Sequence, residues 1–500
     1  MPNAHQETPD VLDVLDVLII GAGLSGIGAA VQLQRRCPAK RYAILDGRAA
    51  SGGTWDLFRY PGVRSDSDMH TLAYRFKPWT SAQAIVDGAT ILDYLRAAAE
   101  ENGVAPHIRL RHTVRSASWS SAEACWTVLA DAGTDAGTGS VPVALRTRFL
   151  YCCTGYYSYD TPYRPAFPGE EQFEGVCVLP QFWPQDLDCA GRRIVVIGSG
   201  ATAVTLVPAL ARTAAHVTML QRTPSFILAL PARDRLAQWA QAVLPQRAAF
   251  AAIRWKNVAL GTLFHAASRR WPAPVARLLT RRAARSAGAL HAAPDFTPPY
   301  RPWDQRLCVA PDGDLFAALR SGRASIVTDS VAGFTGHGIA LASGRQIDAD
   351  IVVLATGLSM KILGGIALAI DGKRFDPAAA MAYKGMMLSD LPNCAMAFSY
   401  TNASWTLKAD LTAHYVCRLL AFMDRKGVQI AVPRREAGVA ARPFLDFTSG
   451  YVARARHLLP AQGTRKPWRV AQNYLRDLAT IRYGRIDDGV MAFGTARDMK

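Results

Sequence analysis

The chain has 500 residues, of which 50% are hydrophobic and 19% charged, and its formal net charge is +17. This length exceeds what one hydrophobic core usually supports, so we expect two or three domains. No uninterrupted apolar run reaches about 18 residues, which excludes a membrane-spanning helix, and the N-terminus lacks the basic flank of a signal peptide. Its nine cysteines are scattered without a CxxC pair, which indicates free thiols in a reducing cytoplasm.

The N-terminal part of the chain predicts one dinucleotide-binding unit. An apolar strand over residues 14–20 leads directly into the glycine loop GAGLSG at 21–26, and an apolar-periodic helix follows. A second strand at 42–45 ends in an acid, about 25 residues past the first glycine. The glycines allow close approach to a pyrophosphate, the helix N-terminus faces its charge, and the acid accepts the ribose hydroxyls. The candidate residues are Gly21, Gly23, Gly26 and Asp46.

A second unit repeats this pattern after residue 190. The strand at 193–197 leads into the loop GSGATA at 198–203, a helix spans 201–210, and the strand after it ends in Gln221 and Arg222. An arginine here suits the 2′-phosphate of NADP, although a solvated surface arginine is the alternative. We therefore expect FAD at the first unit and NADPH at the second. The second set of candidates is Gly198, Ser199, Gly200, Ala201, Thr202, Ala203, Val204, Gln221 and Arg222.

A strongly basic segment follows the second unit. Between residues 235 and 300 there are ten Lys or Arg and one acid, Asp295, together with helical apolar periodicity and aromatic residues. This composition predicts a helical insertion with a solvated basic face. The alternative is an amphipathic surface that lies on anionic lipid and admits apolar substrate. No nucleic-acid-binding fold is indicated, so we expect no nucleic-acid partner.

These elements place the chain in the α/β class, with two Rossmann-like dinucleotide-binding domains. The FAD-binding domain is expected at residues 11–157 and 361–500, and the NADP-binding domain at 191–230 and 305–360. A linker at 158–190 connects the two domains. The basic helical insertion at 231–304 interrupts the second one.

Several longer motifs connect the chain to a known family. They include GGTWDLFRYPGVRSDSDM at 52–69, PWDQRLC at 302–308 and TNASWTLKADL at 401–411. In these segments the chain resembles the class B flavoprotein monooxygenases of the Baeyer–Villiger type, and their mycobacterial members in particular. The resemblance implies that NADPH reduces FAD and that a flavin C4a-peroxide then inserts oxygen beside a ketone carbonyl. The implied partners are O2 and a small apolar ketone or sulfide, and the products are esters or lactones, with sulfoxidation as a side reaction.

The linker carries most of the family fingerprint FxGxxxHxxxW. Phe173, Gly175 and Trp183 match it, and Pro184 follows as in the family. The pair Trp183–Pro184 favours the Baeyer–Villiger group over related N- and S-oxygenating enzymes, which usually carry a tyrosine or phenylalanine at the place of the tryptophan. The place of the histidine is taken by Leu179, whose side chain has no donor or acceptor. We expect either that Leu179 weakens the coupling of oxygenation to NADPH consumption or that it packs as an ordinary apolar residue.

The resemblance also assigns roles to individual residues. It implies that Arg306 stabilises negative charge on the reacting oxygen, with Asp66 as its carboxylate partner. Gln305 stands where relatives carry a lysine that touches the NADP phosphate, which leaves more of that role to Arg222. Flavin contacts are implied for Ser25, Asp46, Thr54, Trp55, Asp56, Leu57 and Val114, and contacts on the nicotinamide side for Arg64, Ser65 and Asp66.

Ser404 and two histidines are assigned structural roles. Ser404 is expected to cap a helix that begins near Trp405, with the positive helix end toward the flavin ring. His70 and His112 are isolated, and no spacing of metal ligands is visible. Three alternatives to the main hypothesis remain at this point: a weakly coupled NADPH oxidase, an S-oxygenating enzyme on the same scaffold, and a non-catalytic nucleotide-dependent binding protein. The expected location is the cytoplasm, with peripheral membrane association as an option.

Overall fold

A computed structural model describes residues 14–133, 139–288 and 293–498. In these residues the largest sheet has nine strands, which come from residues 15–152 and 367–396. Leu15–Ile20 lies between two parallel neighbours, with Ile19 opposite Ile44 on one side and Tyr151 on the other. Its continuous apolar sequence fits this place because a parallel strand is buried on both faces. The strands of the sheet are Leu15–Ile20, Tyr42–Leu45, Ile108–Arg109, His112–Ser120, Cys125–Gly133, Ser140–Cys152, Ala367–Ile370, Lys373–Phe375 and Cys394–Met396.

A second, fully parallel sheet has five strands. Their order across the sheet is Ala324–Thr328, His216–Gln221, Arg193–Ile197, Ile351–Leu354 and Val176–Val178. The last of these, Val176–Val178, comes from the segment that we assigned to the linker. It is an edge strand because it pairs on one side only, with residues 351–353. The linker is therefore partly folded onto the second sheet. The predicted α/β class with two nucleotide-binding sheets is confirmed.

Smaller sheets complete the strand set. A three-stranded antiparallel sheet and four strand pairs comprise Val331–Thr335, Gly338–Leu341 and Gln346–Asp348; Ile227–Leu230 with Cys308–Pro311; Ala382–Tyr383 with Met387–Leu388; Ile430–Pro433 with Met491–Gly494; and Ala441–Pro443 with Ala461–Gly463.

The helices of both nucleotide-binding units begin within their glycine loops, at Leu24 and Ala201. The α-helices are Leu24–Arg36, Thr54–Leu57, Met69–Leu72, Gly88–Glu101, Ala201–Leu210, Arg235–Val243, Gln246–Arg270, Pro272–Ala287, Asp314–Arg320, Trp405–Lys426, Gly450–Ala455 and Tyr474–Asp477. The long helix Trp405–Lys426 packs along Leu24–Arg36, so the C-terminal part of the chain covers the first glycine loop's helix. The first helix exists there because small and apolar residues line its buried face.

Three helices form the basic insertion, between the paired strands Ile227–Leu230 and Cys308–Pro311. The first, Arg235–Val243, begins at Asp234, whose carboxylate accepts hydrogen bonds from the backbone N–H groups of the first turn. The second is anchored by Arg254, which is 4% exposed. Its Nη1 donates to the carbonyl oxygens of His70, Thr71 and Ala73 at 2.8, 3.1 and 2.8 Å. The insertion is thus fixed to the FAD-binding side of the molecule. Within the described ranges, no helix combines the length and hydropathy needed to cross a bilayer.

Candidate active site

A cavity of about 720 Å³ lies at the carboxyl ends of the first parallel strands, against the first glycine loop. Gly21 has φ +107°, and a Cβ atom there would lie 2.5 Å from the Cys153 carbonyl oxygen. At Gly26 a Cβ atom would lie 1.8 Å from the Gly21 carbonyl oxygen. Neither contact is possible, so the tight turn and the close seating of the helix both require glycine.

The acid predicted for this loop is in place. The Asp46 carboxylate accepts hydrogen bonds from the backbone N–H of Ala22 at 2.7 Å and of Arg48 at 2.9 Å. Burial raises the pKa of Asp46, while these backbone donors lower it. Asp46 therefore stands at the loop, where a ribose would lie. Nine of the predicted residues line the cavity: Gly21, Gly23, Ser25, Asp46, Thr54, Trp55, Asp56, Leu57 and Val114.

Asp56, which lines this cavity, is also the centre of a cluster of arginines. It is 2% exposed, and its carboxylate forms ion pairs with Arg48 at 2.5 Å, Arg59 at 3.2 Å and Arg96 at 3.0 Å. The guanidinium of Arg48 also lies 5.8 Å from the ring centroid of Tyr159. Three arginines occupy the two carboxylate oxygens, so Asp56 holds Arg48 at the cavity wall.

The second glycine loop has the same construction. Gly198 has φ +141°, and a Cβ atom there would lie 2.3 Å from the Ala355 carbonyl oxygen. At Gly200, by contrast, a Cβ atom would meet no atom within 4 Å. The protein itself does not require glycine at position 200. Open space at the start of helix Ala201–Leu210 suits a pyrophosphate that approaches the backbone closely.

The remaining candidates of the second unit divide into buried and exposed residues. Gln221 is 1% exposed, and its Nε2 donates to the Asp295 carbonyl at 2.8 Å and to Thr328 Oγ1 at 2.9 Å. Arg222 is exposed. Ala203 and Val204 lie in the core of the second sheet, and Ser199 Oγ donates to the Thr223 carbonyl at 2.7 Å. Of the pair at the strand end, Arg222 is the residue that can reach a phosphate.

Between the two units lies a chamber of about 220 Å³. It brings together Arg64, Ser65, Asp66 and Arg306 with Ala201 and Thr202 of the second loop. It shares Thr54, Trp55, Tyr157 and Trp405 with the first cavity. The chamber is therefore where a nicotinamide and a flavin ring would meet.

Arg306 and Asp66 form an ion pair in this chamber, with 3.4 Å between Nε and Oδ2. Burial raises the pKa of Asp66, and the charges of Arg306 and Arg64 act against that rise. Burial alone would lower the pKa of Arg306, but Asp66 and nearby tyrosines outweigh it, so the pKa is raised. The guanidinium is consequently a permanent positive charge at the chamber wall.

Arg64 is the second cation of this region, and it links the two sheets. Its Nη1 lies 2.5 Å from the Asp314 carboxylate of the second unit. Two residues earlier, a Cβ atom at Gly62 would lie 2.8 Å from the Ala209 Cβ. The segment 60–66 is thus packed closely against helix Ala201–Leu210, which fixes Asp66 relative to the second loop.

The helix that begins at Trp405 points into the same region. Ser404 occupies the N-cap position, as predicted, but its hydroxyl forms no capping hydrogen bond. It is 4% exposed, and no partner for its Oγ is found among the described residues. Trp405 Nε1 donates to Ser25 Oγ at 2.8 Å, which ties the helix to the first glycine loop. The N-terminal N–H groups remain directed at the chamber.

A third cavity, of about 820 Å³, opens from the other side of Arg306. Asp66, Arg306 and Ala403 line both this cavity and the chamber. The basic insertion supplies much of its wall, through apolar residues that include Leu236, Val258, Leu260 and Phe264. The insertion is therefore more than the solvated basic face that its composition predicted: it encloses a mostly apolar space that ends at Arg306.

The fingerprint linker is packed and hydrogen-bonded. Leu179 lies in an apolar cluster with Phe173 and Phe334, so the packed alternative describes its position. Gln181 is 4% exposed, and its Nε2 donates to the carbonyl oxygens of Ser158 and Tyr159 at 2.9 and 3.0 Å. A polar residue two places after Leu179 thus joins the beginning of the linker to its later part, a role that the sequence pattern did not indicate.

Other residues of the site also escaped the sequence analysis. Tyr156, Tyr157 and Phe182 line the first cavity. For the two tyrosines, their position shortly after the strand that ends at Cys152 is the feature of the sequence that could have indicated a site. His70 is fully buried, and the His112 Nδ1 lies 2.7 Å from the Leu110 carbonyl. In the described ranges no group of three or more His, Cys, Asp or Glu is placed to hold a metal ion.

One glycine loop lines the first cavity and the other lines the adjoining chamber, an arrangement that suits a protein that brings two dinucleotides together. Residues 78–240 match the model of the flavin-binding monooxygenase-like family, and residues 19–85 match that of an NAD(P)-binding Rossmann-like domain. The FAD-containing monooxygenase EthA of Mycobacterium tuberculosis is 52% identical, over 96% of this chain and 97% of its own. The monooxygenase MymA of the same species, described as a putative FAD-containing enzyme, is 48% identical, over 96% and 98%. The chain belongs to the family of FAD-containing monooxygenases, which confirms the predicted resemblance, enzyme class and flavin cofactor.

Solved structures agree on the fold. An open crystal structure of cyclohexanone monooxygenase superimposes with a TM-score of 0.73 at 20% identity, covering 96% of this chain and 100% of that one. Oxidized steroid monooxygenase bound to NADP gives a TM-score of 0.71 at 20% identity, covering 97% and 100%.

Proposed function

We propose that the protein is an FAD- and NADPH-dependent Baeyer–Villiger monooxygenase that converts apolar ketones to esters or lactones. The observation that carries this proposal is the position of the Arg306–Asp66 pair, which lines both the chamber and the 820 Å³ cavity. A group that serves oxygen transfer has to touch the flavin side and the substrate side at once.

The residues around the first cavity fit FAD, and those of the second loop fit NADPH. The first cavity offers a glycine loop, a helix N-terminus and the Asp46 carboxylate. The second loop offers open space at Gly200 and an exposed cation, Arg222. Bound FAD would supply oxygen activation, with electrons from NADPH.

The residues of the chamber would act on charge and water. The Arg306 guanidinium can stabilise the negative charge that develops on oxygen as it adds to a carbonyl, since it is charged at every working pH. Asp66, 3.4 Å away, orients the guanidinium. Trp55, Tyr157 and Trp405 form an aromatic wall that keeps water away from the reacting atoms.

The third cavity indicates the class of substrate. Its volume lies in the range of small-molecule sites, and apolar atoms make up the larger part of its lining surface, beside charged residues such as Asp68, Arg233 and Lys256. Such a space favours a ketone or sulfide whose bulk is apolar, with its polar group at Arg306. Apolar ketones partition into membranes, so peripheral contact of a cytoplasmic enzyme with a membrane fits this function.

The fingerprint place offers no donor or acceptor, although Leu179 is packed there, and this absence supports a second candidate, a weakly coupled NADPH oxidase on the same scaffold. Measurements of oxygen uptake and hydrogen peroxide release by the FAD-loaded protein, with and without a panel of ketones, distinguish the two functions. We expect ketone to lower the peroxide released per NADPH consumed and ester to appear. Peroxide equal to NADPH consumed under every ketone would remove the monooxygenase proposal.

A further inference from the structure

The longest helix of the insertion has an apolar outer face. Along Gln246–Arg270, exposed apolar residues recur every three or four positions, the period of a single helix face. Trp255 is 42% exposed and Leu263 65%. The residues of this face are Ala248, Ala252, Trp255, Ala259, Leu263 and Ala266. A surface helix normally turns such a face toward the core.

The neighbouring helix Arg235–Val243 has a similar outer face. Leu236, Trp239 and Val243, at positions i, i+3 and i+7, are 61%, 63% and 55% exposed. Small residues form the contact between the two helices, where Ala237 and Ala240 pack against Ala249 and Ile253. We call the two exposed faces together the outer stripe.

Exposed apolar side chains are concentrated in this part of the molecule. In the described ranges, ten of 17 exposed large hydrophobic side chains lie between Leu230 and Leu278. Scattered exposed apolar residues need no explanation, but a continuous patch marks a binding surface.

The charge of the same segment selects the partner. Residues 235–285 contain ten Lys or Arg and no acid, and eight of these arginines are exposed. Arg277, Arg281 and Arg285 recur at helical spacing on the third helix. A symmetric pair of chains joined here would place this cationic surface against itself. A bilayer with anionic headgroups instead offers opposite charge and an apolar interior.

The outer stripe also reaches the mouth of the 820 Å³ cavity. Leu236 and Leu260 are 61% and 59% exposed, and both line that cavity. At its inner end the cavity meets Arg306. An apolar molecule could therefore enter the cavity from the exposed face along these two leucines, next to Arg233, Arg235 and Lys256, which also line it.

We infer that the insertion docks on an anionic membrane surface through the outer stripe and its arginines, and that apolar substrate enters the cavity from the bilayer. The docking stands on the surface alone, whereas the entry of substrate rests on the proposed function.

Sedimentation of the FAD-loaded full chain with phosphatidylcholine vesicles, with and without phosphatidylglycerol, tests the docking. We expect binding to the anionic vesicles that weakens as salt is added. Trp239→Ser with Leu263→Ser should lower that affinity by about tenfold or more, since two apolar side chains no longer enter the bilayer. Neither residue lines the first cavity, the chamber or the 820 Å³ cavity, so turnover of a water-soluble ketone should stay unchanged.

A matched control removes two exposed apolar residues elsewhere. Leu129 and Val141, 49% and 55% exposed, lie on antiparallel strands of the first sheet. Leu129→Ser with Val141→Ser should bind vesicles like the wild type. Wild-type protein that sediments with neither vesicle, or outer-stripe variants that bind undiminished, would overturn the docking. So would a wild-type dimer that these variants convert to monomer, since the partner would then be a second copy.

A vesicle-dissolved long-chain ketone tests the entry of substrate. We expect the outer-stripe variant to lose turnover of this ketone while it retains turnover of a water-soluble one. Equal turnover of the vesicle-dissolved ketone by both proteins would overturn the entry route. A wild-type protein that turns over neither ketone would instead count against the proposed function. Its sedimentation with vesicles would still test the docking.

Discussion

Replacement of Arg306 by alanine probes the group at the junction of the chamber and the substrate cavity. Its Nε lies 3.4 Å from Asp66 Oδ2, and 38% of its side chain is exposed, toward the space that substrate would occupy. Loss of one positioned donor to a developing negative charge typically costs about 10²–10³-fold in rate, or about 3–4 kcal/mol. Because Arg306 lines the chamber and the substrate cavity and not the FAD cavity, the variant should retain its flavin.

The assay compares ester formed with NADPH consumed, alongside the flavin absorbance of the purified protein. Arg306→Lys should recover only part of the rate, since an ammonium lacks the planar donor geometry. Arg269→Ala is the matched control, because Arg269 belongs to the insertion and pairs with Asp304 at 2.6 Å outside the cavities. Ester formation by Arg306→Ala within about tenfold of the wild type would refute the role that we assign to Arg306.

Four further changes test other parts of the site. Arg222→Ala should raise the KM for NADPH by about tenfold and leave the KM for NADH unchanged, and equal effects on both would remove Arg222 from the phosphate site. Gly26→Ala should purify without flavin, since its Cβ would lie 1.8 Å from the Gly21 carbonyl oxygen; a normal flavin spectrum would contradict this. Leu179→His should raise ester formed per NADPH, because a donor and an acceptor return to the fingerprint place; an unchanged ratio would show that the linker works with an apolar residue. Burial, and then nearby arginines, lower the pKa of His414 from 6.5 to about 4. As the pH falls from 6.5 toward 4, the unfolded chain binds a proton at this position and the folded protein does not, so the stability that is present above pH 6.5 is lost over this range. His414→Gln should therefore reduce the fall in Tm over that range, and an identical fall would assign acid lability to other groups.

Local sequence patterns predicted the nucleotide-binding elements closely. The strand expected at 14–20 is Leu15–Ile20, and the helix expected at 201–210 is Ala201–Leu210. Both were readable because an apolar run, a glycine loop and a helical period follow one another within a short stretch of chain. The family motifs added Asp66 and Arg306, which the fold brings together across the chamber.

Side-chain partners distant in sequence could not be predicted in this way. The pairing of Asp56 with Arg96, for example, depends on how helix Gly88–Glu101 packs. Gln221 stands beside Arg222 at a strand end, and only the fold places Thr328 within reach of its amide. The basic composition of the insertion likewise does not predict that its residues line a cavity, since this depends on tertiary packing.

Incubation of the purified protein with NADPH, an apolar ketone and ¹⁸O-labelled O2 tests the central claim most directly. The account predicts an ester or lactone that carries one labelled oxygen atom, in an amount that follows NADPH consumption. Labelled hydrogen peroxide equal to the NADPH consumed, with no labelled ester from any ketone, would contradict it.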